Sequence, residues 1–91
     1  MYPYMKFPDK TEVLVSDLYE NGSYSVVFEQ PTDDIMRYLC IDMPSGFIRE
    51  NVGFTNKDLM GVYHYLDHNK GILLGIATYK GFDGYADSLR D

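Results

Sequence analysis

The sequence predicts an α+β domain of two layers, an antiparallel sheet built from two β-hairpins (about four strands) with one or two C-terminal helices packed on one face. Three observations carry this expectation. Asn21-Gly22 stands between two stretches rich in valine, tyrosine and phenylalanine, and Met43-Pro44-Ser45-Gly46 punctuates a second apolar run. From Thr55 onward the apolar spacing changes from two residues to three and four. The chain has 91 residues, which suits a single domain over residues 1–91, because independent domains rarely fall much below about 50 residues.

The elements follow in order. Residues 1–10 form an arm in which Tyr2, Tyr4, Met5 and Phe7 alternate with Pro3 and Pro8. Proline fixes φ and restricts its predecessor, so the arm runs extended and lies on its own domain or on a second copy. Residues 12–30 read as a hairpin around Asn21-Gly22, the pair that supplies the two positive φ angles of a type I′ turn. A two-residue loop sets Tyr19 opposite Tyr24, Asp17 opposite Val26 and Val15 opposite Phe28. Val13, Val15, Tyr19, Tyr24, Val26 and Phe28 then share the core face, interrupted by Asp17, and the other face is mixed, with Leu14, Leu18 and Val27 among serines and glutamates. A three-residue loop with a bulge would shift that register.

Thr32-Asp33-Asp34 makes a polar connection. Residues 37–43 carry Leu39, Ile41 and Met43 on one side and Tyr38 and Cys40 on the other, the pattern of a strand covered on both faces. Pro44 and Gly46 suit a type I turn with a left-handed glycine, after which Phe47–Val52 returns as a second hairpin. Thr55 caps a helix, with Asp58 three residues on and Phe54 and Leu59 placed as a hydrophobic staple. Its inward stripe is Leu59, Val62, Tyr63 and Leu66, and it reaches about Asp67, where Asn69 or Gly71 ends it. Residues 72–80 resume as a second helix or a strand: Ile72, Leu73, Ile76 and Tyr79 fit a helical stripe, which favours the helix, while Gly75 and the β-branched residues favour the strand, and residues 81–91 read as a loosely held tail.

Eight basic against fourteen acidic residues leave a net charge of -6. That sign repels phosphate backbones and anionic lipid, which argues against direct nucleic-acid or membrane-surface binding. No apolar stretch approaches the ~20 residues that span a bilayer, and no signal-peptide pattern opens the chain, so a cytoplasmic address is expected. One cysteine makes no intramolecular disulfide.

Chemistry-bearing patterns are sparse. His64 and His68 stand at i and i+4 with Asp67 between them, a spacing that presents two imidazoles to one metal ion but falls short of the four ligands of a structural zinc site. Both point away from the inward stripe, so a solvated pair near a helix C-terminus is the plainer reading. Asp42 and Arg49 would pair across the second hairpin if its loop were two residues, a surface contact of about 0 to 1 kcal/mol. Cys40, among apolar neighbours, reads as an inert core thiol. Neither a Gly-x-Ser-x-Gly elbow, a P-loop nor a dinucleotide fingerprint occurs, so neither a catalytic residue nor a cofactor is assigned.

Nine tyrosines and five phenylalanines without tryptophan are an excess. Tyr2, Tyr4, Phe7, Tyr65 and Tyr79 lie outside the expected core stripes, and tyrosine combines an apolar body with a polar tip that suits protein contacts. The expectation is therefore a non-catalytic protein-binding or homodimerising module. Two alternatives stand beside it: an acidic inhibitor that mimics nucleic acid on a basic protein, and a small metal-binding protein or enzyme using His64, Asp67 and His68.

Overall fold

Alternating apolar residues and two glycine-bearing turns fold the first half of the chain into a sheet, and the helical spacing after Thr55 lays a cover on it. The computed structural model describes residues 1–90, and all that follows concerns them. Five antiparallel strands run in sequence order, β1 (Tyr2–Lys6), β2 (Glu12–Val15), β3 (Tyr24–Pro31), β4 (Met36–Met43) and β5 (Phe47–Val52). Two helices follow, α1 (Asn56–Tyr79) and α2 (Phe82–Ser88). The α+β arrangement is the expected one. The arm supplies the fifth strand, and because β1 is an edge strand its Pro3 is tolerated there.

The first hairpin forms, but not through a type I′ turn. Only Gly22 of the Asn-Gly pair has a positive φ (83°), with its N–H donating to the Tyr19 carbonyl at 2.9 Å while the Tyr19 N–H donates to Ser23 at 2.8 Å. The loop is therefore the longer one with a left-handed glycine. The Ser16 N–H still reaches the Ser25 carbonyl (2.9 Å), whereas the Leu18 N–H turns to Ala77 of α1 (3.2 Å). Val15 consequently faces Val26, and Val13 faces Phe28, a shift of two residues from the expected pairing. Two residues is the side-chain period of a strand, so Val13, Val15, Tyr24, Val26 and Phe28 keep the core face. Tyr19 does not share it and is 45% exposed. Asp17 lies past the end of β2, exposed, and accepts a hydrogen bond from the Tyr2 hydroxyl.

The β4–β5 loop also departs from a type I turn, because the Gly46 N–H bonds to the Asp42 carbonyl four residues back (2.8 Å). Gly46 is left-handed at φ 78°, as expected.

At the start of α1 the capping box forms in full. Thr55 Oγ1 accepts from the Asp58 N–H at 3.2 Å, and Asp58 Oδ2 accepts from the Thr55 N–H at 2.9 Å. The helix does not stop near Asp67. It runs through Asn69 and Gly71 to a left-handed cap at Lys80, so residues 72–79 are helical, not a strand, and continue α1 without forming a second helix. A mid-helix glycine costs about 1 kcal/mol against alanine, and the burial of Leu73, Ile76 and Ala77 outweighs it. Leu66 is buried, with Leu59 and Val62 half-buried beside it, whereas Tyr63 is exposed and Tyr65 takes the inward place. The tail is also corrected. Residues 82–88 form α2, docked on α1 where a Cβ on Gly75 would lie 2.1 Å from the Tyr85 ring.

The core joins Val13, Val26, Leu39 and Ile41 of the sheet to Leu73 and Ile76 of α1. Helix α1 contacts β1, β2 and β3, and α2 contacts α1 and β1. No helix among the described residues is long and apolar enough to cross a membrane.

Candidate functional site

Alternation along a strand gives the sheet two faces, and the described chain covers one of them. The second face is built by a row that crosses four strands, with Leu14 of β2 opposite Val27 of β3, Val27 opposite Cys40 of β4 and Cys40 opposite Glu50 of β5. Neither helix lies there. Tyr2 and Tyr4 of β1, which meet α2 through Gly81 and Phe82, belong to the core-facing side. Yet Val27 is only 2% exposed and Cys40 7%, screened by side chains of the same face. Tyr38 and Leu14 are half-buried, and Phe47 at the rim is 63% exposed. A sheet face meant for water ordinarily carries polar side chains at its centre. This one carries apolar groups, which the two-sided pattern of residues 37–43 made visible in the sequence.

Polar groups frame that centre at one end. Arg49 donates to Asp42 through Nη2 at 2.6 Å and Nε at 3.2 Å, Ser25 Oγ donates to Asp42 Oδ1 at 3.0 Å, and the Tyr19 hydroxyl lies 3.1 Å from Ser25 Oγ. The Arg49 guanidinium holds the Asp42 carboxyl below its ordinary range. At the other end Glu12 and Glu29 stand directly opposite each other. Burial pushes the Tyr38 hydroxyl up, assisted by nearby Cys40, Glu50 and Glu29.

The expected contact aromatics are placed differently. Tyr2, Tyr4, Phe7 and Tyr65 are half-buried against the chain's own core. Tyr4 stacks on Phe82 at 5.9 Å, while Tyr65 meets Phe7 and Phe28 edge-on at 5.6 and 5.9 Å. Burial raises the Tyr65 hydroxyl to about 12. Tyr79, 50% exposed, stands apart from them on the last turn of α1.

The histidine pair is exposed on α1, its rings 4.2 Å apart. His68 Nδ1 lies 2.9 Å from the His64 carbonyl oxygen, and Asp67 pairs with Lys70 at 3.5 Å. Among the described residues no group of three or more His, Cys, Asp or Glu side chains is placed to hold a metal ion. The Cys40 thiol is pushed up by burial, away from the thiolate a nucleophile needs.

Two hollows flank α1. One of about 810 Å³ has apolar walls from Tyr24, Met43, Leu66 and Leu74. The other, about 340 Å³, holds Arg37, whose Nη1 and Nη2 donate to Gln30 and Asp58 at 2.7 Å each, while its buried Nε has no partner. In neither does a nucleophile meet a base within hydrogen-bond reach, the arrangement nucleophilic catalysis requires. Compared with protein-family models, with curated proteins and with solved structures, the chain matches none.

Proposed function

We propose that the chain is a non-catalytic protein-binding module whose contact surface is the open face of the sheet. One observation carries this reading. Strands β2, β3 and β4 bear apolar residues on both sides, as strands covered twice do, and the described helices cover one side alone. Leu14, Val27, Tyr38 and Cys40 form the centre of the surface, with Phe47 and Val52 at its β5 rim. An apolar centre within a polar frame is how a protein contact is commonly arranged.

The test uses a photo-reactive amino acid at position 38 on the open face or at Met60, which is exposed on α1. Cross-linking in the source cell is expected at position 38 and not at 60. The captured protein, once purified, is then titrated against the wild type and Leu14→Asn by calorimetry, with at least tenfold weaker binding expected for the variant. Equal cross-linking from both positions, or unchanged affinity, overturns the reading.

A further inference from the structure

We infer that the partner of the open face is a protein surface bearing lysine or arginine around an apolar patch, and not a second copy of this chain. The inference rests on the reading above and deepens it. Glu12, Glu29 and Glu50 all point from that face, for Glu12 pairs in register with Glu29, Glu29 with Tyr38, and Glu50 with Cys40. None of the three forms an ion pair among the described residues, although Lys6 stands opposite Glu12. The other cation of the face, Arg49, is already neutralised by Asp42.

Like charges directly opposite on neighbouring strands destabilise a sheet. The hairpin carries that cost at Glu12 and Glu29 with Lys6 beside Glu12 alone and no cation in register with Glu29, which faces Glu12 on one side and Tyr38 on the other, and a local conflict of this kind is where function is to be sought. A second copy laid on the face would add three more carboxylates to the same apolar centre. A cationic surface would neutralise them while its apolar part covers Leu14, Tyr38 and Val52. Like-charge juxtaposition disfavours the wrong partner as strongly as opposite charge favours the right one.

The experiment titrates the ¹⁵N-labelled chain with three synthetic twelve-residue peptides, alternating leucine with lysine, leucine with glutamate, and serine with lysine. The leucine–lysine peptide is expected to shift the amides of Leu14, Val27, Glu29, Tyr38 and Glu50, and to weaken as salt rises. The triple variant Glu12→Gln, Glu29→Gln, Glu50→Gln is expected to bind it at least tenfold more weakly. A control triple at loop tips, Glu20→Gln, Asp33→Asn, Asp34→Asn, carries the same change in net charge and is expected to stay within threefold of wild type. Equal weakening by both triples overturns the inference, because bulk charge then explains the binding. Preference for the leucine–glutamate peptide on the same face overturns the cationic partner and leaves the contact surface standing. Shifts of these amides with protein concentration alone make the occupant a second copy and overturn it too. Silence of the face toward all three peptides overturns both readings.

Discussion

The two faces of the sheet are made from the same strands and are built differently. On the helix face Val13, Val26, Leu39 and Ile41 meet Leu66, Leu73 and Ile76 with no exposure above a few per cent, and tyrosines of the arm and of α1 complete the packing. On the open face a shorter apolar row is screened by its neighbours alone, framed by an Asp42–Arg49 pair at one end and by facing glutamates at the other. The helix face gains from every group that is added to it. The open face retains a repulsion that a single neutral substitution would remove. That difference separates a surface packed for stability from the one proposed above for contact.

The largest expected effect lies on the helix face. Leu73→Ala is expected to cost about 2 to 5 kcal/mol, the range for truncating a fully buried leucine, while Leu14→Ala on the half-buried open face costs roughly 1 kcal/mol. Urea denaturation measures both, and equal costs would erase the distinction between the faces.

Next in size is an alkaline effect, also on the helix face. Burial raises the Tyr65 hydroxyl to about 12, above the ordinary value of about 10. A folded-state pKa above the unfolded one contributes stability that is complete below about pH 10 and is lost as pH rises toward about 12. Denaturation followed from about pH 8 to about pH 11 is expected to show this loss, and Tyr65→Phe is expected to reduce it. Tyr24 and Tyr38 are also raised by burial, so part of the slope persists in the variant. An unchanged slope would mean that the Tyr65 hydroxyl is free to ionise in the folded chain.

The smallest effect has the opposite sign. Glu29→Gln is expected to stabilise the chain by about 0.2 to 1 kcal/mol, by relieving the repulsion with Glu12, since Glu29 faces no cation in register. A loss of stability in the same denaturation experiment would show that Glu29 has a structural partner.

Much of this architecture is legible in the residues. The capping box at Thr55 and Asp58 and the valine-rich hairpin are local, and short spacing determines them, while Asp42 and Arg49 pair although the loop is longer than the two residues that would set them opposite, Asp42 being in register with Phe47. What was harder to read depends on distant contacts. Nothing near Asn21 announces that Leu18 will bond to Ala77, and with that bond Asp17 and Leu18 leave the pairing that Ser16 still makes with Ser25, which moves the register. Asn69 has the chemistry of a helix stop, but its amide donates to the Tyr65 carbonyl at 2.9 Å and its Oδ1 accepts from Tyr4, 65 residues away. The tail, with Gly81 and Gly84, reads as loose until Phe82 finds Tyr4 and Tyr85 finds Gly75. The open face lies between these cases. Its residues were visible as the second apolar side of residues 37–43, whereas its lack of a cover emerges only once the path of α1 over β1, β2 and β3 is known.

Neighbouring positions of β4 offer the most direct test, because Leu39 points to the helix face and Cys40 to the open face. The measurement is the rate of thiol labelling as denaturant is raised, at native Cys40 and at Leu39→Cys in a Cys40→Ser background. If side chains alone screen the open face, Cys40 reacts through local movement, at a rate that does not follow global stability at low denaturant. The thiol at position 39 reacts only as the chain unfolds. Labelling of both thiols in step with global unfolding would contradict the central claim, since the open face would then be covered as firmly as the core.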